Sequence, residues 1–308
     1  FNGDVTPDVM RSFMEKETLA VKYQSLIASE YSFTDEELKS YVEENRDSFY
    51  YVDYLKFTVD EDDVSMPKAT AEGIAGAKSA DEFLSLVSAY LTDTLKDENA
   101  EETLGKCAVT GEKKKSYGKF SEWAFGGAKE NDTFIDENAV DGQYTVYMLT
   151  KAPYIDETPT KNARIIRENV SSHNSYQDTI NYLNGLLDKW KEEGGTEDAF
   201  AALAEKESDD TKTKDYGGLL NCVSRFDTTV AENIRSWLFE DGRTAGDTGV
   251  VKGDACYYAV YFSGEDAPGW EISAQIGMGQ KKMQEDYEAL EKQYPVTSDE
   301  AVIASLDA

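Results

Sequence analysis

The stretch Asn162-Ala163-Arg164-Ile165-Ile166-Arg167-Glu168-Asn169-Val170 (NARIIRENV) reads as a strand, and it has an earlier double in Tyr50 to Val59 (YYVDYLKFTV). Each opens the same script. After the later strand come a helix at Thr196 to Leu203 (TEDAFAAL), a turn at Tyr216-Gly217-Gly218, the aromatic run Trp237-Leu238-Phe239, the turn Gly246-Asp247-Thr248, a strand at Tyr257 to Phe262, and Pro268. The earlier one leads to Ala80 to Leu86 (ADEFLSL), Tyr117-Gly118, Trp123-Ala124-Phe125, Asn131-Asp132-Thr133, a strand at Tyr144 to Leu149, and Pro153. The offset is 110 from Tyr54 to Arg164, 117 from Phe83 to Phe200, 114 from Trp123 to Trp237, 114 from Val146 to Val260 and 115 from Pro153 to Pro268. Offsets this steady over several elements imply duplication of one domain of about 110 residues.

Outward from the repeats the chain is helical. Ser175 caps a helix carrying Tyr176, Ile180, Leu183, Leu187 and Trp190 on one face, and Gly194-Gly195 ends it. Thr6-Pro7 starts a long helix with an apolar stripe of Met10, Phe13, Met14, Leu19, Tyr23, Leu26 and Ile27. Thr34 with Glu37 is a capping box for a short second helix bearing Leu38, Tyr41 and Val42. Ser273 to Tyr294 is a last helix, stopped by Pro295, with Ile276, Met283, Tyr287 and Leu290 on one side. The fold class is α+β: two small, mostly antiparallel sheets covered by helices, plus a helical lobe in which the two ends of the chain meet. The expected divisions are 1–47 for the N-terminal helices, 48–157 and 158–270 for the two repeats, and 271–308 for the C-terminal helix.

Composition narrows the partners. Of 308 residues, 61 are Asp or Glu and 31 Lys or Arg, a formal charge of -30 that repels nucleic acid and anionic lipid alike. With 40% hydrophobic residues the chain has material for real cores. The three cysteines, Cys107, Cys222 and Cys256, make no disulfide framework or zinc knuckle, though a Cys222–Cys256 bridge is conceivable. His173 is the single histidine, so any histidine-based active site must be built around it; at a helix start after two serines it reads as a capping or exposed residue. No stretch approaches the ~20 apolar residues of a membrane span. A chain opening on Phe1 is expected to be a mature fragment or trimmed piece, with any export signal or anchor upstream.

In the second repeat the order of Ala163-Arg164-Ile165-Ile166, Phe200-Ala201-Ala202-Leu203-Ala204, Glu207-Ser208-Asp209-Asp210, Gly217-Gly218-Leu219-Leu220, Trp237-Leu238-Phe239, Gly246 to Val251 and Tyr257 to Val260 resembles the parvulin-type peptidyl-prolyl isomerases. The likeness covers roughly 160 to 265; the first repeat is similar but more eroded. With helices at both ends, the whole chain is similar to the foldases and chaperones of bacterial cell envelopes, of the surface-foldase or periplasmic survival-protein type. The resemblance implies rotation about the bond preceding proline, which needs no cofactor or metal. It places Arg164 where the family's first histidine stands, Tyr258 at the second, Asp210 at the carbonyl-facing acid, Leu220 at an apolar pocket position and Phe226 as a pocket wall. Both histidines are thus replaced, an Arg164–Asp210 ion pair would quench the acid, and in the first repeat Tyr54 takes the first histidine's place, so no activity is expected there.

The function implied is an exported folding factor for unfolded or newly secreted, proline-containing polypeptides. Its lobe would hold apolar client segments at Met10, Phe13, Met14, Met283 or Tyr287. Membrane association would come only through an anchor outside this chain. The alternative is a non-catalytic binding or adaptor protein on the same scaffold; an acid-based hydrolase is a third class, for which no carboxylate pair stands out. Other features have plainer readings: Asp60 to Asp63 as a solvated acidic turn rather than a calcium loop, Lys113 to Lys115 as a loop, and Trp123 and Trp237 as core anchors.

Overall fold

Pro7 fixes the first helical φ and starts α1, Pro7–Glu30; reciprocal hydrogen bonds between Thr34 and Glu37 then start α2, Asp35–Glu44. The computed structural model describes residues 6–115, 118–138 and 140–295. From α3, Arg46–Phe49, the first repeat runs through β1, Tyr51–Asp60, α4, Pro67–Ala75, α5, Ala80–Ala89, α6, Ala100–Gly105, β2, Ala108–Lys113, α7, Lys119–Phe125, β3, Thr133–Asn138, and β4, Gln143–Tyr154. The second comprises β5, Pro159–Asn169, α8, Tyr176–Glu192, α9, Glu197–Glu207, β6, Leu219–Val223, α10, Glu232–Leu238, β7, Thr248–Lys252, and β8, Cys256–Pro268; α11, Gly269–Gln293, follows.

Each repeat makes one antiparallel sheet, ordered β2-β1-β4-β3 in the first and β6-β5-β8-β7 in the second, so the α+β duplication holds in topology. It also holds in detail. In each sheet one edge strand, β2 or β6, bulges around a residue in the left-handed region, Gly111 (φ 68) and Cys222 (φ 52). A neighbouring Asx side chain accepts the bulge N–H: Gly111 donates to Asp53 Oδ1 at 2.8 Å, Cys222 to Asn162 Oδ1 at 2.7 Å. The turns before β3 and β7 match too, with the Lys129 and Thr244 N–H groups donating to Asp132 and Asp247, each at 2.8 Å.

These devices fix the register. Tyr54 pairs with Leu149 as Ala163 pairs with Phe262, and Leu55 with Met148 as Arg164 with Tyr261. Tyr54 therefore corresponds to Ala163 rather than Arg164, and Val146 to Ala259 rather than Val260. Each expected equivalence is one residue out, which in a strand exchanges the faces of the sheet. Gly118 precedes α7 whereas Gly217 and Gly218 precede β6, so they are not counterparts; Tyr117 lies outside the described residues.

Helices pack on both faces of each sheet. In the second repeat Ile166, Ala259 and Tyr261 pack with Leu183, Leu187, Trp190 and Phe200 of α8 and α9, while Ala163, Ile165, Val260 and Phe262 pack with Ile234 and Leu238 of α10. The first repeat has Leu55, Val59, Val146 and Met148 under α4 and α5, and Val52, Tyr54 and Leu149 beside Ala124 of α7. Trp123 and Trp237 join the α7 and α10 faces, as core anchors do. The repeats meet where Phe226 sits over Gly111, a Cβ on which would stand 2.2 Å from the ring, and where Arg225 pairs with Asp156 at 2.9 Å. The three cysteines are free. Cys222 and Cys256 are separated by β5, two strand spacings or about 9–10 Å, too far for the conceivable bridge.

Residues 45–270 form one compact unit; α1, α2 and α11 from Glu271 onward form another. In the helical unit Tyr31 donates to Asp286 at 2.7 Å, Gly277 gives space to the Tyr41 ring, and Leu38, Val42 and Ala274 are buried. A hollow of about 530 Å³ is lined there by Tyr31, Phe33, Ile276 and Met283 among others. The stripe on α1 is treated differently. Among its described side chains only Ile27 is less than exposed, and Met10, Phe13, Met14, Leu19, Val21 and Leu26 show between 44% and 68% of their surface.

Candidate functional site

Arg164 and Tyr258 point to opposite faces of the second sheet. Arg164 turns toward α9, where Nε donates to Glu197 Oε1 at 2.8 Å and Nη1 to the Tyr216 and Gly217 carbonyls at 3.2 and 3.0 Å. It braces the turn before β6 and pairs with Glu197, not with Asp210. The expected quenching ion pair is absent, because the one-residue slip puts Arg164 on the other side.

The residue beside Tyr258 is Arg167, its direct partner across β5 and β8. Its guanidinium donates to the Cys256 thiol, which with the charge of Asp210 keeps the arginine charged against the opposing effect of desolvation; the buried Nε has no hydrogen-bond partner. Burial, with the neighbouring thiol, pushes the Tyr258 phenol up to about 12, so it is a hydrogen-bond donor near neutral pH. Asp210 arrives on the loop after α9, and the sequence docks that loop onto β5. Asp209 donates its N–H to the Arg167 carbonyl at 2.8 Å, Arg167 donates its own to Ser208 Oγ at 3.0 Å, and Asp209 Oδ2 accepts from Asn169 N and Nδ2 at 3.0 and 2.8 Å. The Asp210 carboxylate accepts from Thr213 Oγ1 at 2.7 Å and Lys212 N at 3.3 Å.

Of the five expected residues, Asp210 and Tyr258 are electrostatic neighbours, and both act on Arg167. Leu220 pairs with Ala163 and packs into the α10 face with Tyr258 and Trp237. Phe226 lies away at the junction of the repeats, 5.0 Å from the Tyr51 ring. Arg167 and Cys256 were missed. Their signal was parity: Arg167 shares the inward phase of Ala163 and Ile165, and a charge there at the end of an apolar strand face calls for partners.

On the α8 and α9 side, His173 is half-buried and does not cap α8, whose N-cap is Ser175. Its Nε2 lies 2.7 Å from Oε2 of Glu168, a buried side chain, and its ring 5.0 Å from Tyr182. Burial raises the Glu168 carboxyl above its ordinary range, against the opposing His173 hydrogen bond. No cluster of three metal-ligating side chains occurs among the described residues.

No family model and no curated protein matches the chain. It is similar to solved foldase structures: PrsA from Bacillus subtilis at 15% identity and TM-score 0.33, covering 99% of this chain and 95% of that one. Foldase protein PrsA from Streptococcus pneumoniae matches at 16% and 0.29, covering 98% and 94%. The peptidylprolyl isomerase PrsA from Bacillus anthracis matches at 11% and 0.28, covering 93% and 99%. These are proteins of the kind the sequence resembles. At such scores the side chains, not the superposition, decide what the chain can do.

Proposed function

We propose that this chain is an exported folding factor that binds unfolded polypeptides, with feeble or no isomerase activity in its second repeat. The observation that carries the proposal is the open apolar side of α1. An exposed row of Met10, Phe13, Met14 and Leu19 on a soluble protein is a surface for transient contact with other apolar chains, and flexible methionines fit many shapes. Arg11, Glu15 and Lys22 keep the helix soluble between its apolar residues. The exported location rests on the resemblance alone; among the described residues no helix is long and apolar enough to cross a membrane.

For isomerisation, the rotating amide loses its resonance over a barrier of ~20 kcal/mol, and a site helps by gripping the proline ring and favouring the twisted form. Arg167, Tyr258 and Asp210 supply polar groups of that kind. Against efficiency, Asp210 is already engaged by Thr213, Arg167 brings a charge beside it, and Leu220 is packed against the α10 face.

Suppression of aggregation of a reduced, unfolded model protein tests the binding function. The intact chain is expected to suppress it and the triple variant Phe13→Ser, Met14→Ser, Leu19→Ser to lose most of the effect with unchanged circular dichroism; full suppression by that variant would overturn the reading. A proline-containing reporter peptide is expected to isomerise little faster with the protein than without, and any acceleration to vanish in Asp210→Ala.

A further inference from the structure

The connection from β6 to α10, residues 224–231, is three residues longer than the one from β2 to α7, residues 114–118. The added length forms a strap that reaches the first repeat. Arg225 grips Asp156, between β4 and β5, with two donors: Nε lies 3.0 Å from Oδ2 and Nη2 2.9 Å from Oδ1. Asp156 is nearly buried and also accepts from Thr158 Oγ1 at 2.7 Å, so the fork closes on a fixed carboxylate. The Phe226 ring lies 4.6 Å from the Arg225 guanidinium, beside Tyr51 of β1 and over the Gly111 backbone.

The other side of the strap is tied to α10. Arg235 donates from Nη1 to the Arg225 carbonyl at 2.7 Å and from Nε to the Val230 carbonyl at 3.2 Å. Val230 packs against the cluster centred on Ile234 and Leu238, as do Leu220 and Tyr258 of the candidate site. Contacts therefore run unbroken from the first repeat, through the strap, to the helix over Leu220 and Tyr258. A further tie, from Asn233 Nδ2 to the Lys252 carbonyl at 2.8 Å, is exposed. Behind the strap, a hollow of about 610 Å³ separates Thr110 and Glu112 of β2 from Glu232, Ser236 and Phe239, so α10 has room to swing toward the first repeat. Beside Tyr258, the buried Arg167 Nε lacks an acceptor. A buried donor left unpaired is a cost of the closed arrangement, and a carbonyl of an entering chain would relieve it.

We propose that the first repeat acts as an inhibitory domain: through Arg225 and Phe226 it holds α10 down over Leu220 and Tyr258, and release of the strap admits a proline-containing chain there. The eroded repeat then has a task that needs no catalytic residues of its own. The inference rests on the proposed polypeptide binding for its ligand, and it concerns the second repeat rather than α1.

The test compares amide hydrogen exchange and peptide binding in the full-length wild type, the double variant Arg225→Ala, Phe226→Ala, and the milder Arg225→Gln. In the double variant the amides of Leu220 and of 232–237 are expected to exchange at least about tenfold faster, while those of Leu183 and Leu187 in α8 keep their wild-type rates. A blocked proline-containing hexapeptide, followed by the Leu220 and Tyr258 amide resonances, is expected to bind at least about tenfold more tightly than to wild type. Arg225→Gln should move both readouts the same way by a smaller factor, and it decides the matter should the double variant lose its circular dichroism. Unchanged α10 exchange, equal quickening in α8, or a loosened α10 without tighter peptide binding would each overturn the inference. Both strap variants should suppress aggregation as wild type does. Full suppression by the α1 triple variant would sink the client-binding reading and leave the exchange result standing, whereas wild-type exchange in the strap variants would sink the inhibitory role alone.

Discussion

Arg164 shows how one side chain serves architecture instead of chemistry. Its guanidinium satisfies two carbonyls of the turn before β6 and one carboxylate of α9. Arg164→Ala is expected to cost about 2–3 kcal/mol in denaturant unfolding, since charge-assisted bonds in a largely buried setting are lost together. Glu168 sets a different expectation, in pH. Its folded carboxyl holds its proton more tightly than an unfolded one, so its contribution to stability is fully present below the ordinary value of 4.5 and is lost as pH rises through the elevated folded value. Comparing melting temperatures of wild type and Glu168→Gln from pH 4 upward checks this: the variant should lose less stability over that rise, and parallel curves would count against it. The candidate site was half legible at this scale. Asp210 and Tyr258 follow from order along the chain, but Arg167 does not, because ARIIRE keeps its β-forming character in either phase and Arg164, three residues away, faces the other side of the sheet. Only the bulge decides the phase, and no residue pattern announces it.

Among the elements, starts and stops were the most readable. Ser175 accepts the Asp178 N–H at 3.1 Å and caps α8 as its position implies, and Leu183, Leu187 and Trp190 are buried, though Tyr176 at the first turn stays exposed. Ser175→Ala should lower stability by about 1 kcal/mol, read from the denaturation midpoint. The edge-strand bulges were not foreseen, because a backbone that turns left-handed at a cysteine leaves no compositional mark. At its glycine counterpart a side chain would meet both a strained φ and the Phe226 ring. Gly111→Ala is therefore expected to destabilise by roughly 2–4 kcal/mol, detectable by calorimetry, and Gly111→Ala combined with Phe226→Ala to recover the steric part.

For the molecule as a whole, the repeat was legible because duplicated cores keep their large side chains: Phe83 and Phe200 are both fully buried, and Trp123 and Trp237 both stand on the helix that follows the edge strand. The exposure of α1 was not, since a stripe with helical spacing looks the same whether a partner covers it or water does. A net charge of -30 makes salt dependence a property of the entire chain. Moderate salt should raise its melting temperature by screening self-repulsion, and should slow capture of a basic unfolded protein in stopped-flow mixing; salt-independent capture would argue that apolar contact alone recruits clients. The bulged margins of the two sheets bear on a hazard that the proposed client binding would bring. A protein that lies beside sticky chains risks becoming the template on which they pile up as fibrils, and an unbroken rim invites that growth. The kinks at Gly111 and Cys222 interrupt one rim of each sheet, so that in the proposed role a captured chain would find no continuous ladder to extend along β2 or β6.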